Sequence, residues 1–192
     1  MSPADEVRPL DRQPLLAGEL VELRPLARGD RDALYAVASD PEIWAQHPIS
    51  DRWREDMFAT FFDEAMASGG ALVVSDTRNG KTIGSSRYDA YHPANGGSVE
   101  IGWTFLSRDC WGRGHNAEMK RLMIGHALQS VARVDFRVGE TNRRSRRAME
   151  KIGGKLAEGR VQKSVSGGRE IVHVYYEIDR AAFAAGPLSQ PA

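Results

Sequence analysis

The stretch Cys110–Met123, CWGRGHNAEMKRLM, decides how this chain is read. Gly112 and Gly114 flank an arginine directly before an amphipathic helix whose Met119, Leu122, Met123 and Ala127 share one face. A helix start leaves about four backbone N–H groups unpaired and carries the positive end of the macrodipole, so it attracts anions. Glycines there remove Cβ atoms, allow positive φ and let a phosphate lie against the backbone, and Arg113 adds a charged donor. The alternative is a flexible turn before a helix. The stretch is not a P-loop, because no lysine follows the second glycine. Nor is it a dinucleotide fingerprint, because the third glycine is absent and the preceding strand belongs to a meander.

Upstream, SVEIGWTFL (98–106) reads as a strand, and ALVVSDT (71–77) with TIGSSRYDAY (82–91) as a hairpin whose Asn79-Gly80 suits a type I′ turn. GELVELRPL (18–26) is a first strand. GDRDALYAVAS offers Asp30 as the N-cap of a short helix. Trp53, Met57, Phe58, Phe61, Phe62 and Met66 recur at helical spacing after a cap at Ser50 or Asp51, until Gly69 and Gly70 end the run. Downstream, RVDFRVG (133–139) reads as a strand and TNRRSRRAMEKIGG as a helix stopped by Gly153 and Gly154. KLAEGRVQKSV and REIVHVYYEI are last strands around the turn signal SGG. The order β-α-α-β-β-β-α-β-α-β-β gives an α/β (α+β) fold, a mixed central sheet of about seven strands flanked by about four helices. Residues 1–16, with three prolines and no periodicity, read as a flexible leader, 17–182 as a single domain and 183–192 as a flexible tail.

Composition narrows the function. Hydrophobic residues make up 41% of the 192 and charged ones 27%, which suits a globular protein. No run approaches the roughly 18 apolar residues of a membrane span, and the N-terminus lacks the apolar segment of a secretory signal, so a cytoplasmic protein is expected. Twenty-six basic and 26 acidic residues balance, which argues against a dedicated nucleic-acid binder. One cysteine, Cys110, excludes an intramolecular disulfide and a thiolate zinc cage; it reads as a small packed side chain. The histidines show no HExxH, and His115 and His126 are too far apart along a helix for one metal ion, so no metal is expected.

The strand, WGRGHNAE loop and helix, followed by FRVGETNRRSRRAMEKIGG in this element order, resemble the GNAT superfamily of acyl-CoA-dependent N-acetyltransferases, most closely its ribosomal-protein (RimL-type) branch. The resemblance spans roughly residues 18–180 and is most specific over Glu100–Lys120 and Val138–Gly154. It implies a mixed, mostly antiparallel sheet with a bulge that splays two central strands, and acetyl-CoA as the acyl donor. It also implies that Gly112, Arg113, Gly114, His115 and Asn116 hold the pyrophosphate and that the backbone of Phe105 and Leu106 pairs with the pantetheine arm. The family usually has glycine or alanine where Asn116 stands, and a larger side chain crowds the phosphate.

Acetyl transfer to an amine needs a neutral amine, a polarised carbonyl and a proton for the leaving thiolate. Deprotonating a lysine at neutral pH costs roughly 4 kcal/mol and an α-amine about 1, so a weak base suffices for the latter. The resemblance makes Glu100 that base; the alternative is a carboxylate on the solvent side of a strand. Alternation puts Glu100, Gly102 and Thr104 on one face, with Ile101 and Trp103 on the other. Many members protonate the thiolate with a tyrosine where this chain has Met149. The RimL-type branch implicates a serine in an Asn-x-x-Ser pattern, matched by Asn142 and Ser145, and Asn142 is equally an N-cap. That branch's glutamate after the helix has no match, since VQKSVSG offers Lys163 and Ser164. Trp44 and His47, in the loop where the family builds its acceptor wall, are candidate substrate residues, or simple loop packing. The partner is then an amine acceptor, a small molecule or a protein N-terminus, and the open edges of the terminal hairpin allow a homodimer. Two other readings stand beside the enzyme: a catalytically silent acyl-CoA-binding regulator, and a nucleic-acid or partner-binding module on the helix from Arg143 to Arg147.

Overall fold

In the computed structural model, which describes residues 9–166 and 168–189, eight strands form one sheet. The chain order is β1 (Leu16–Ala17), β2 (Val21–Pro25), α1 (Arg31–Ala38), α2 (Pro41–Trp44), α3 (Glu55–Ser68), β3 (Ala71–Asp76), β4 (Thr82–His92) and β5 (Ser98–Leu106). It continues with α4 (His115–Ala127), β6 (Arg133–Gly139), α5 (Arg143–Lys151), β7 (Lys155–Ser166), β8 (Arg169–Asp179) and α6 (Arg180–Ala185). In space the strands run β1-β2-β3-β4-β5-β6-β8-β7. Every neighbouring pair is antiparallel except β5 and β6, which are parallel and joined by the crossover helix α4.

The expected mixed, mostly antiparallel sheet is therefore present, with one strand and two helices more than the sequence suggested. β1, α2 and α6 span 2, 4 and 6 residues, too short to show a period. Residues 9–16, expected to be loose, lie on the domain: Leu10 is buried in the core, and Arg12 donates to the Ser68 carbonyl at 3.2 Å. The expected tail likewise packs, with Phe183 against the core and Leu188 buried in it. Residues 1–8, Gly167 of the SGG turn and residues 190–192 lie outside the described residues.

One core lies on the face of the sheet covered by α4, around Met119, Met123, Ile124, Ile101, Phe136 and Tyr176. The other, under α1 and α3, is an aromatic cluster of Trp44, Phe58, Phe61, Phe62 and Phe105. Burying each such ring contributes about 1.5–3 kcal/mol. Asp30 stands at the N-cap of α1 as expected, but its carboxylate makes no capping bond there and instead binds Arg24 and the Ala27 N–H. Two local expectations are corrected. α3 starts later, with Arg54 at the N-cap and no side-chain cap, so Trp53 falls outside it. The hairpin turn has positive φ at Gly80 alone, with Asp76 accepting from the Gly80 N–H at 2.8 Å, so it is not type I′.

Candidate active site

The parallel ladder between β5 and β6 covers only Ser98–Glu100 against Arg133–Asp135, although both strands run on beyond it. The cause lies on the other edge of β5. Ser85 pairs with Phe105 and Arg87 with Gly102, so Trp103 and Thr104 stand opposite the single residue Ser86. Trp103 takes φ +51 to absorb the extra residue. Such a bulge bends and twists its strand, and here the bend opens a seam between β5 and β6. It also breaks the alternation expected from sequence. Thr104 turns toward α4, where Lys120 Nζ donates to its hydroxyl at 2.8 Å, while Trp103 joins Glu100 on the face of Arg137.

The glycine loop reaches α4 beside this seam. Gly112 and Gly114 have φ +71 and +85, and Gly114 is the N-cap residue, without a capping side chain. A Cβ on Gly112 would meet nothing within 4 Å, so its requirement is conformational and its outer side is open. The first helical N–H to find a carbonyl is that of Glu118, on Gly114 at 2.9 Å; those before it are the free anion-binding groups of a helix start. Asn116 is half-exposed on the first turn and Arg113 is exposed.

A family model described as "Acetyltransferase (GNAT) domain" matches residues 21–155. The chain belongs to the GNAT acetyltransferases. A GCN5-related N-acetyltransferase from Brucella melitensis superposes with TM-score 0.80 at 23% identity, covering 93% of this chain and 84% of that one. A probable GNAT acetyltransferase from Chromobacterium violaceum gives 0.80 at 21%, covering 96% and 97%. Spermidine N-acetyltransferase from Vibrio cholerae, solved with CoA and spermine, gives 0.66 at 15%, covering 86% and 99%. At these identities the likeness is one of fold. A search among curated proteins finds no match.

Within this GNAT domain several expected site residues have other duties. The His115 side chain turns inward: it is 2% exposed, with Nε2 3.6 Å from Asp76, and only its backbone can meet a phosphate. Asn142 is the N-cap of α5, its side chain accepting from the Ser145 N–H at 3.1 Å. Ser145 is half-buried one turn into that helix. Phe105 and Leu106 pair with Ser85 and Gly84, and the Leu106 carbonyl accepts from the Trp111 indole at 3.1 Å. Trp44 is packed in the aromatic core: it is 3% exposed and donates to the Ala38 carbonyl at the end of α1. His47 packs edge-on against Trp44, with Nε2 3.2 Å from Arg52 Nη1. Its Nδ1 accepts from the Ile49 N–H at 2.9 Å and lies 3.1 Å from the Ile49 carbonyl. Burial and the Arg52 charge push its pKa down to about 3.

Glu100 is 8% exposed and pairs with Arg137 at 3.2 Å. Burial raises its carboxyl above the usual range, against the pull of Arg137. Met149, in the place of the tyrosine many members use, is buried core. Of the arginine run, Arg144 holds the carbonyls of Glu42 and Ile43 and stacks on Trp111, and Arg146 binds Tyr176 and Glu140. Arg143 and Arg147 are exposed.

Sequence reasoning missed four groups. Lys120 is fully enclosed, with Thr104 and the Phe136 ring as neighbours, and burial pushes its pKa down to about 7. Glu118 accepts from the N–H groups of Glu19, Leu20 and Val21 at 2.9, 2.7 and 2.9 Å, which pins the start of β2 to α4. Arg52 and Arg87 lie over the Phe61 ring at 4.9 and 6.0 Å. No local motif marks any of them, because each partner is distant in sequence. The helical pattern placed only α4's apolar stripe, while the helix is in fact enclosed on several sides by β1, β2 and β5.

Proposed function

We propose that this domain transfers an acetyl group from acetyl-CoA to a primary amine, of a small molecule or a protein N-terminus, by direct attack with both substrates bound. The observation that carries this reading is the seam opened between β5 and β6 beside the uncapped, glycine-started helix α4. The residues present fit a pyrophosphate there: free N–H groups, an open side at Gly112 and the exposed Arg113. Gly112, Arg113, Gly114 and Asn116 would hold it, with His115 contributing its N–H alone. The Phe105 and Leu106 backbone would align the pantetheine arm, and Asn142 fixes the start of α5 next to it. When bound, acetyl-CoA supplies the activated thioester.

Glu100 would accept the proton of the incoming amine. A buried carboxylate with a raised pKa is a better base than an exposed one, and an α-amine near pKa 8 needs only about 1 kcal/mol of help at neutral pH. Ser145 would donate a proton to the departing sulfur. Calorimetric titration with acetyl-CoA, beside a mononucleotide lacking the pantetheine arm, tests the donor. Tight binding of acetyl-CoA alone is expected. Glu100→Gln and Ser145→Ala should each lower turnover about 100-fold while leaving acetyl-CoA affinity within about twofold. Absence of acetyl-CoA binding sinks the reading; binding without transfer to any amine would instead leave an acyl-CoA-binding regulator.

A further inference from the structure

On the face of β5 that carries Glu100, three guanidinium groups crowd together. Arg87 lies 4.5 Å from the Trp103 ring, with Arg137 5.3 Å from the same ring. Arg52 shares the Phe61 ring with Arg87 and also lies 5.7 Å over Trp44. The carboxylates do not balance them. Glu100 serves Arg137, and Asp89, a third exposed, lies 3.5 Å from Arg87 Nη1. Arg52 has no carboxylate at ion-pair distance among the described residues; Glu64 and Asp51 act on it only from farther away. Burial, with the repulsion of Arg87 and Arg137, pushes the Arg52 pKa down to about 10.

Arg87 is the informative member. Its side chain is 5% exposed, and Nε and Nη2 are buried without a hydrogen-bond partner. Stacked rings satisfy the flat faces of a guanidinium but not its N–H groups, which point outward in the plane. Nε and Nη2 together form the side-on edge that grips a carboxylate or phosphate with two parallel hydrogen bonds. Two buried N–H groups of a cation left without acceptors are costly even though Nη1 meets Asp89, and two more cations nearby add to that cost.

We infer that the acceptor amine also carries an anionic group, a carboxylate or a phosphate monoester, which seats on the Nε/Nη2 edge of Arg87 with Arg52 as second cation. This rests on the proposed transferase reading, in which Glu100 faces the acceptor. Three guanidiniums disfavour a polyamine at the same place, since each added ammonium would meet like charge.

The test uses the full chain saturated with acetyl-CoA, with free thiol release and product mass as readouts. Acceptors are matched pairs: alanine against alaninamide, phosphoethanolamine against ethanolamine, with spermidine as the cationic arm. The anionic member of one pair should lead by at least about tenfold in kcat/KM, and which pair does so separates carboxylate from phosphate. Arg87→Met, and Arg52→Gln as a second variant outside the sheet, should each abolish that lead. Equal use of both members, a preference for spermidine, or an undiminished lead in both variants overturns the proposal. Thermal melting supplies a reading independent of turnover. Arg87→Met should melt no lower than the parent in phosphate-free buffer, and inorganic phosphate should raise the parent's melting temperature more than the variant's. An equal phosphate response with a lower-melting variant makes Arg87 purely structural and overturns the proposal even if no acceptor is turned over. Failure of the acetyl-CoA titration with the phosphate difference intact overturns the transferase reading and not the anion seat.

Discussion

Replacing Lys120 by methionine should stabilise the protein at neutral pH, and the gain should shrink as pH rises. Lys120 is 2% exposed, with one hydrogen bond, to Thr104 at 2.8 Å. Burial lowers its pKa from 10.5 to about 7, which at 1.36 kcal/mol per unit makes the protonated form cost about 5 kcal/mol in the native state. Between those two values the unfolded chain holds a proton that the native state has released, so native stability rises with pH; below about 7 both states are protonated and the full cost is present. The parent should therefore gain about 2 kcal/mol on the methionine variant between pH 7 and 9. Methionine keeps the length of the stem and loses one hydrogen bond of about 1 kcal/mol, leaving the variant about 3 kcal/mol more stable at pH 7. Urea unfolding of both proteins at pH 6, 7, 8 and 9 measures the difference directly and cancels other titrating groups, among them Cys110, whose thiol burial pushes up. A methionine variant less stable at pH 7, or a gap that stays flat from pH 7 to 9, would refute the reasoning.

Gly114→Ala should cost about 1–2 kcal/mol by chemical denaturation and weaken acetyl-CoA binding by calorimetry, because φ is +85 and the new Cβ would lie 3.1 Å from Leu20 Cδ1. Glu118→Gln should cost about 2–4 kcal/mol at pH 7, since one amide oxygen cannot serve three N–H groups. Burial alone would raise the Glu118 carboxyl, but those N–H groups outweigh it and hold it below its ordinary 4.5. The variant's deficit should thus be full above that value and fade as pH falls through the lower native one, which denaturation at pH 3.5, 5 and 7 would show. Trp44→Phe should cost about 1–3 kcal/mol in melting experiments by stranding the Ala38 carbonyl, whereas a tryptophan acting only on substrate would leave stability unchanged.

The sequence determined the elements whose signals are local. Alternation and β-branched content placed β5 at 98–106 and β6 at 133–139, and the Asn142 cap lies three residues from the N–H it binds. The glycine loop was equally legible, because an uncapped helix start with two positive-φ residues is a property of a few adjacent positions. Tertiary structure decided what depends on distant partners. The φ of Trp103 is fixed by how β5 registers against β4, and that one residue overturned the alternation, opened the seam and sent Thr104 to Lys120. Trp44 and His115, both plausible site residues by position, were drawn into the interior by Ala38, Phe105 and Asp76. Arg52, Arg87 and Arg137 read as ordinary scattered charges along the chain. Only the folded sheet, joining the loop before α3 to β4 and β6, brings them together against Phe61 and Trp103, because burial and like-charge proximity exist in three dimensions and leave no trace in local spacing.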